Sequence, residues 1–310
     1  MRATRPSSVE LVEVCPRDGL QNDTMMLSTA AKVALIRRLA AAGLRRIEVT
    51  SFVNPKRVPQ MADADAVVAA LGDPDHQMED VSLSALVLNE RGFDRALGSI
   101  LHEITFVIVA SETFSERNQG VGTAQSLAAW HRLSPRIAAA GLRSSVTIGA
   151  AFGCPFEGEV PSSRVLGLAQ AIADIGTDEL SLADTIGVGV PAEVEERFGM
   201  MRAKLPGMKL RAHFHNTRNT GIANADAALR AGVAVLDASL GGLGGCPFAP
   251  GASGNIGTED LTYMLDRSRV AHDGTFAALR ETTLWLEAEM GRRRLPAQTA
   301  HVDMFPRLAA

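Results

Sequence analysis

Eight times along these 310 residues a short run rich in β-branched residues gives way to a stretch of helical periodicity, and no linker interrupts the series. Strict alternation predicts parallel strands bridged by helices, and eight units in about 270 residues suit a closed (β/α)8 TIM barrel. Reactive side chains also recur where the strands end, which is where such barrels gather their chemistry. The fold class is therefore α/β: a TIM barrel with extra C-terminal helices, one domain over residues 1–310, with 291–310 as a C-terminal extension. An open doubly wound sheet is disfavoured. The turn after its first strand should read Gly-x-Gly-x-x-Gly, and here it is Pro16-Arg-Asp-Gly19.

The elements follow in order. Ser8 to Val14 alternates apolar and polar residues and predicts the first strand, broken by the turn at Cys15-Pro-Arg-Asp-Gly-Leu-Gln21. Ser28 to Ala42 is helical, with Ser28 or Thr29 as N-cap and Gly43 past its end. Arg45 to Thr50 is the second strand, and a helix runs from about Pro59 to Leu71. Val81 to Val87 is the third strand, with a short helix over Arg91 to Leu97. Glu103 to Ala110 is the fourth, followed by a polar loop over Ser111 to Gly122 and a helix from Ala124 to Ala140. Ser144 to Ala151 and Ser162 to Ile175 make the fifth pair. Glu179 to Ala183 and Pro191 to Lys204 make the sixth, with Pro191 suited to a first turn. Lys209 to His215 and Asn219 to Ala231 make the seventh. Val233 to Ser239 is the eighth strand, then a glycine-rich loop over Gly241 to Gly257 and helices over Glu259 to Asp266 and Phe276 to Met290.

Composition narrows the function. With 31 basic against 35 acidic residues, net charge −4 and 5% aromatics, nothing suggests a nucleic-acid surface. The three cysteines, Cys15, Cys154 and Cys246, are odd in number and widely spaced. They argue for a reducing, cytoplasmic setting rather than a disulfide framework. The first eight residues are too short for a signal peptide and no apolar run is long enough to span a bilayer, so no membrane partner is expected. A homodimer is the base-rate expectation.

The candidate chemistry centres on Arg211-Ala-His-Phe-His215. On a strand, residues two apart share a face, so His213 and His215 can grip one divalent metal ion. Asp18, after the first strand, can supply the missing carboxylate. Two imidazoles and one carboxylate leave about three positions open on an octahedral ion for substrate and water. Mixed N/O ligation suits Mg²⁺ or Mn²⁺ as a Lewis acid, with zinc as a further candidate. In isolation, Asp18 could equally make an Asx turn with Gly19. Arg17 can offer a forked hydrogen bond to a developing enolate, or pair with Glu48 near the end of the second strand. Asp184, after the sixth strand, could cap a helix or act as a general base. Cys246 sits in a loop rich enough in glycine to serve as a lid carrying a proton-donating thiol, or it is an inert loop cysteine. Cys15 and Cys154 read as structural. Lys56 and Arg57 could meet phosphates or form a solvated basic loop.

Several stretches resemble the 3-hydroxy-3-methylglutaryl-CoA lyase family. They are Val12-Glu-Val-Cys-Pro-Arg-Asp-Gly-Leu-Gln-Asn22, Ser51-Phe-Val-Asn-Pro-Lys-Arg-Val-Pro-Gln-Met-Ala-Asp63, Gly153-Cys-Pro-Phe-Glu-Gly158, Ser181-Leu-Ala-Asp-Thr-Ile-Gly-Val-Gly189 and the cysteine loop through Asn255-Ile-Gly-Thr-Glu-Asp260. The cysteine loop is highly specific, whereas the two-histidine motif is shared by a wider set of metal-dependent Claisen-type enzymes. The resemblance implies a metal-dependent retro-Claisen cleavage of an acyl-CoA thioester. It implies metal ligands at Asp18, His213, His215 and, more weakly, Asn255. It implies catalytic roles for Arg17, Glu48, Asp184, Cys246 and His213. Arg17, Gln21 and Thr147 are the candidate substrate contacts, and Arg218 could add a carboxylate contact or be a solvated helix-start residue. Asn216-Thr-Arg-Asn-Thr220 departs from the Asp-Thr-Tyr-Gly-Gln usual in the family, Thr147 stands where a tyrosine is usual, and Cys15 replaces a glycine. The acyl group is therefore the open question. The competing readings are a Claisen-condensing synthase on the same barrel, expected to lack the cysteine lid, and a non-catalytic acyl-CoA-binding barrel.

Overall fold

A computed structural model describes residues 5–74, 78, 80–245, 254–292, 294–302 and 305. Eight parallel strands form its centre: β1 (Ser8–Glu13), β2 (Arg46–Ser51), β3 (Ser82–Val87), β4 (Glu103–Val109), β5 (Arg143–Gly149), β6 (Glu179–Asp184), β7 (Lys209–Phe214) and β8 (Val235–Ala238). Each pairs with its sequence neighbours, and β1 pairs with both β8 and β2, which closes the sheet into a barrel. The helices outside are α1 (Thr29–Ala41), α2 (Ala64–Leu71), α3 (Glu90–Ala96), α4 (Glu112–Gln119), α5 (Thr123–Ala139), α6 (Ser162–Ile175), α7 (Pro191–Lys204), α8 (Gly221–Arg230), α9 (Thr258–Arg267) and α10 (Phe276–Glu289). A two-residue strand, β9 (Ala271–His272), pairs with the start of β1.

Most expected elements are present, and the differences have local causes. The expected loop over Ser111 to Gly122 contains α4. Its sequence, ETFSERNQ, has no apolar stripe for periodicity to detect, but Ser111 Oγ caps it by accepting from Phe114 N, and Gly120 ends it at φ 81°. The expected helix from Pro59 is split into a tight turn at Pro59–Met61 and α2. The Asp63 carboxylate between them does not cap α2; it binds Lys32 Nζ at 2.6 Å and Thr29 Oγ1 at 2.8 Å. The helix expected from Asn219 starts at Gly221, because Asn219 is left-handed at φ 57°. Ser28 caps α1 as expected, accepting from Ala31 N at 3.2 Å.

The main apolar core lies between barrel and helices. The lumen differs from the branched aliphatic filling usual in such barrels: among the described residues, Val12, Val14 and Val235 form a small separate apolar cluster there. At the N-terminal end, Arg46 makes paired hydrogen bonds of 2.5 to 2.9 Å to Glu103 and to Glu179. These inward positions follow from the period of 2 along each strand: Arg46 and Glu48 share one face of β2, and Arg211 and His213 share one face of β7. Residues 294–302 are docked, with Ala297 N donating to Gly241 O at 2.8 Å and Thr299 held by Asp260.

Candidate active site

The barrel's C-terminal mouth is built by the turn after β1, the end of β7 and the loop after β8. Residues Cys15–Gly19 form a single wide helical turn that aims Arg17 and Asp18 over the lumen. β7 brings His213 to the same point, and His215 follows, bridged to Asn255. Asp18 Oδ2 lies 3.9 Å from His213 Nε2 and 3.8 Å from His215 Nε2, and the three ligand atoms stand within 4.8 Å of one another. Donors bound at about 2.1 Å to one ion are themselves about 3 to 4.2 Å apart, so the donor set fits a divalent cation. Burial alone would raise the Asp18 carboxyl, but the Arg17 guanidinium and the two imidazoles hold it well below the usual range, as an anionic ligand must be.

Arg17 is fixed from two sides. Its Nε and Nη2 donate to Glu48 Oε2 at 2.6 and 2.5 Å, and its Nη1 donates to Asp18 Oδ1 at 2.5 Å. Burial opposes its charge, yet these two carboxylates outweigh it and keep the guanidinium protonated. A guanidinium has five N–H groups, so two remain for a ligand. Both readings of Arg17, ion pair and substrate group, are thus compatible. Glu48 is buried beneath it, with Oε1 lacking a hydrogen-bond partner among the described residues.

A cavity of about 710 Å³ opens beside this cluster, lined by Arg17, Asp18, His213 and His215, and by Gln21 and Thr147 among the expected substrate contacts. Among the described residues Gln21 Oε1 is buried without a partner, as an acceptor awaiting a ligand would be. Further out the lining includes Arg57, Arg117 and Arg132. Lys56 is exposed and does not line it.

Two expected residues are placed differently, and a third takes one of its two expected roles. Arg218 is not in the cavity wall; its Nη1 donates to the carbonyls of Ile186 and Gly187 at 3.1 and 3.0 Å, bracing the loop after β6. Asn255 presents its amide nitrogen to Asp18 Oδ2 at 2.8 Å and to Leu243 O at 2.9 Å, so in this arrangement it holds Asp18, and a ligand role would need the amide to turn. Asp184, also outside the cavity wall though Ala183 and Thr185 on either side line it, accepts from Val188 N at 2.9 Å and Gly189 N at 3.0 Å, the capping role. Burial pushes its carboxyl up against these amides and the nearby imidazoles. Cys246 lies outside the described residues; Gly245 before it lines the cavity and accepts from Asn22 Nδ2 at 2.9 Å.

Sequence reasoning missed Asp237. Its Oδ2 lies 2.9 Å from His213 Nδ1, and its Oδ1 accepts from Arg211 Nε. The signal was present as a lone carboxylate in an apolar strand, Val233 to Ser239. Also missed were two buried acids at the feet of the cysteine loop. Glu13 accepts from Cys15 N, Leu240 N and Thr258 Oγ1, and Glu259 from Gly241 N. Burial raises their carboxyls to about 8 and about 7. Between those feet, Gly254 is left-handed at φ 89°, and a Cβ there would fall 2.2 Å from Gly244 O, so no larger residue fits. Cys15 is buried with its thiol pushed well up, consistent with a structural role.

A closed parallel barrel with a carboxylate and two imidazoles converging at its C-terminal mouth defines a TIM-barrel enzyme with a candidate metal centre. Comparison with known proteins makes this specific. The family described as HMGL-like matches residues 8–284. The (R)-citramalyl-CoA lyase of Chloroflexus aurantiacus is 43% identical, over 94% of this chain and 93% of that protein. A hydroxymethylglutaryl-CoA lyase of Bacillus subtilis is 39% identical, over 96% and 98%. An HMG-CoA lyase from Acinetobacter baumannii, solved with coenzyme A and 3-methylmalate, superposes with a TM-score of 0.92 at 34% identity, covering 100% of this chain and 99% of that one. The chain belongs to the HMGL-like family and is a carbon–carbon lyase.

Proposed function

We propose that this protein performs a metal-dependent retro-Claisen cleavage of 3-hydroxy-3-methylglutaryl-CoA to acetyl-CoA and acetoacetate. The observation that carries the reading is the convergence of Asp18, His213 and His215 in the wall of a cavity that also carries Arg57, Arg117 and Arg132. Basic side chains of that kind suit the phosphates of coenzyme A. A divalent cation, Mg²⁺ or Mn²⁺ with zinc as the alternative, held by those three residues would supply Lewis-acid polarisation of the substrate's oxygens.

The chain's own groups then divide the work. Asp184, whose chain neighbours Ala183 and Thr185 line the cavity, takes the proton of the tertiary hydroxyl; burial moves its carboxyl toward the range of a useful base. The C–C bond breaks and its electron pair passes to the thioester enolate, which the two spare N–H groups of Arg17 stabilise. Glu48 keeps Arg17 aimed. The Cys246 thiol gives its proton to the enolate carbon, forming the methyl group of acetyl-CoA. The thiolate recovers a proton from solvent, and Asp184 returns one. Gln21 and Thr147 face the acyl group.

A five-carbon substrate is the second reading. It is supported by the 43% identity to a citramalyl-CoA lyase and by the departures at Asn216–Thr220 and Thr147. The deciding experiment is a panel of 3-hydroxyacyl-CoA thioesters with Mn²⁺. Acetoacetate from the methylglutaryl thioester at the highest kcat/KM is the expected result. Preferred cleavage of (R)-citramalyl-CoA to pyruvate and acetyl-CoA would select the second reading, and turnover of neither would refute both.

A further inference from the structure

The two imidazoles at the mouth are not equivalent. His215 Nδ1 is buried with no hydrogen-bond partner among the described residues. His213 Nδ1 lies 2.9 Å from Asp237 Oδ2, and Asp237 Oδ1 is held by Arg211 Nε. Arg211 is in turn fully buried, with Nη1 3.7 Å from Glu179 Oε1, and Glu179 makes paired hydrogen bonds to Arg46. A continuous chain of charges therefore runs up the lumen from the N-terminal salt-bridge layer to one ring nitrogen of one histidine.

We propose that Asp237 is a positioning residue. Clamped by Arg211, it holds His213 with N–H on Nδ1 and the Nε2 lone pair facing Asp18, so that cation affinity depends on it. The inference rests on reading Asp18, His213 and His215 as a metal site, and goes beyond it by assigning the tautomer and the residues that impose it. An imidazole that donates through one nitrogen must ligate through the other, and such outer partners fix ring orientation and ligand basicity. Without Asp237 the ring would be free to turn about its own bonds, and nothing would select the ligating tautomer.

The clamp makes an isosteric substitution informative. In Asp237→Asn, Arg211 Nε–H requires the amide oxygen, so the amide NH₂ faces His213. Nδ1 must then accept, the ring proton moves to Nε2, and the lone pair aimed at Asp18 is lost. Adding Arg211→Met frees the amide to turn its oxygen toward His213. The test is Mn²⁺ binding to metal-free protein by titration calorimetry, with thermal melting of each metal-free variant as the folding control. The expected result is a Kd weakened about 10- to 100-fold in Asp237→Asn, with part of that loss recovered in the double variant. A side chain that merely fills space would show no such recovery. Wild-type binding with an unchanged Kd in Asp237→Asn would overturn the proposal and leave the metal site standing. No Mn²⁺ uptake by the wild type would overturn the metal site and the proposal together. If the variants fail to fold, ¹⁵N-histidine spectra of metal-free wild type at alkaline pH decide. The Nδ1–H form of His213 supports the assignment and the Nε2–H form overturns it.

Discussion

The two ends of the barrel lumen carry the same kinds of residues in opposite states. At the N-terminal end, Arg46 sits between Glu103 and Glu179 with every nitrogen engaged, and Lys209 and Glu10 extend the network outward. At the C-terminal end, among the described residues, Arg17 keeps two N–H groups free, Glu48 Oε1 and His215 Nδ1 have no partner, and the Nε2 atoms of two histidines face one carboxylate. Buried charge with all valences filled is scaffold, because nothing remains for a ligand. Buried charge with open valences stays costly until something binds.

That contrast can be broken from either side. The largest effect is expected at the open end: Asp18→Ala should lower kcat/KM about 10³-fold or more, the loss of several kcal/mol of charge stabilisation, with little change in melting temperature. At the closed end the pattern reverses. Arg46→Met strands two buried carboxylates and should cost about 3–5 kcal/mol of stability by urea denaturation, while the protein that remains folded keeps near-normal kcat. Wild-type stability in Arg46→Met would show that the N-terminal layer is not scaffold.

Smaller effects sharpen the boundary. Glu48→Gln keeps the shape but weakens the hold on Arg17, and should lower kcat about 10- to 100-fold with KM little changed. Glu13 tests the loop feet. Its folded-state carboxyl is raised to about 8, so it holds a proton where the unfolded chain does not. The stability it allows is fully present below about pH 4.5 and is lost as pH rises toward 8. Glu13→Gln should flatten the fall in unfolding free energy between pH 5 and 8; parallel curves for variant and wild type would contradict the assignment. Arg218→Ala, removing only a loop brace outside the cavity, should leave KM within about two-fold.

How far the sequence could reach follows the same division. Strand alternation was legible because eight buried runs each carry their own signal, and Asp18 with the two histidines was legible because strand parity puts side chains on a known face. The helix α4 was not, since seven of its eight residues are polar and Phe114 alone makes no apolar stripe; a serine cap and a left-handed glycine mark its ends instead. Asp237 was overlooked because its meaning depends on which residues lie across the lumen, something periodicity within one strand does not encode. For a related reason the sequence does not choose between a substrate contact and a helix-start residue at Arg218: a cation near a histidine in sequence faces whichever carbonyls the loop supplies, here Ile186 and Gly187.

The most direct test of the central claim is anomalous diffraction from a crystal soaked in Mn²⁺. The account predicts one strong peak within about 2.2 Å of Asp18 Oδ2, His213 Nε2 and His215 Nε2 together. A peak elsewhere, or density showing those three side chains spread apart with nothing between them, would contradict it.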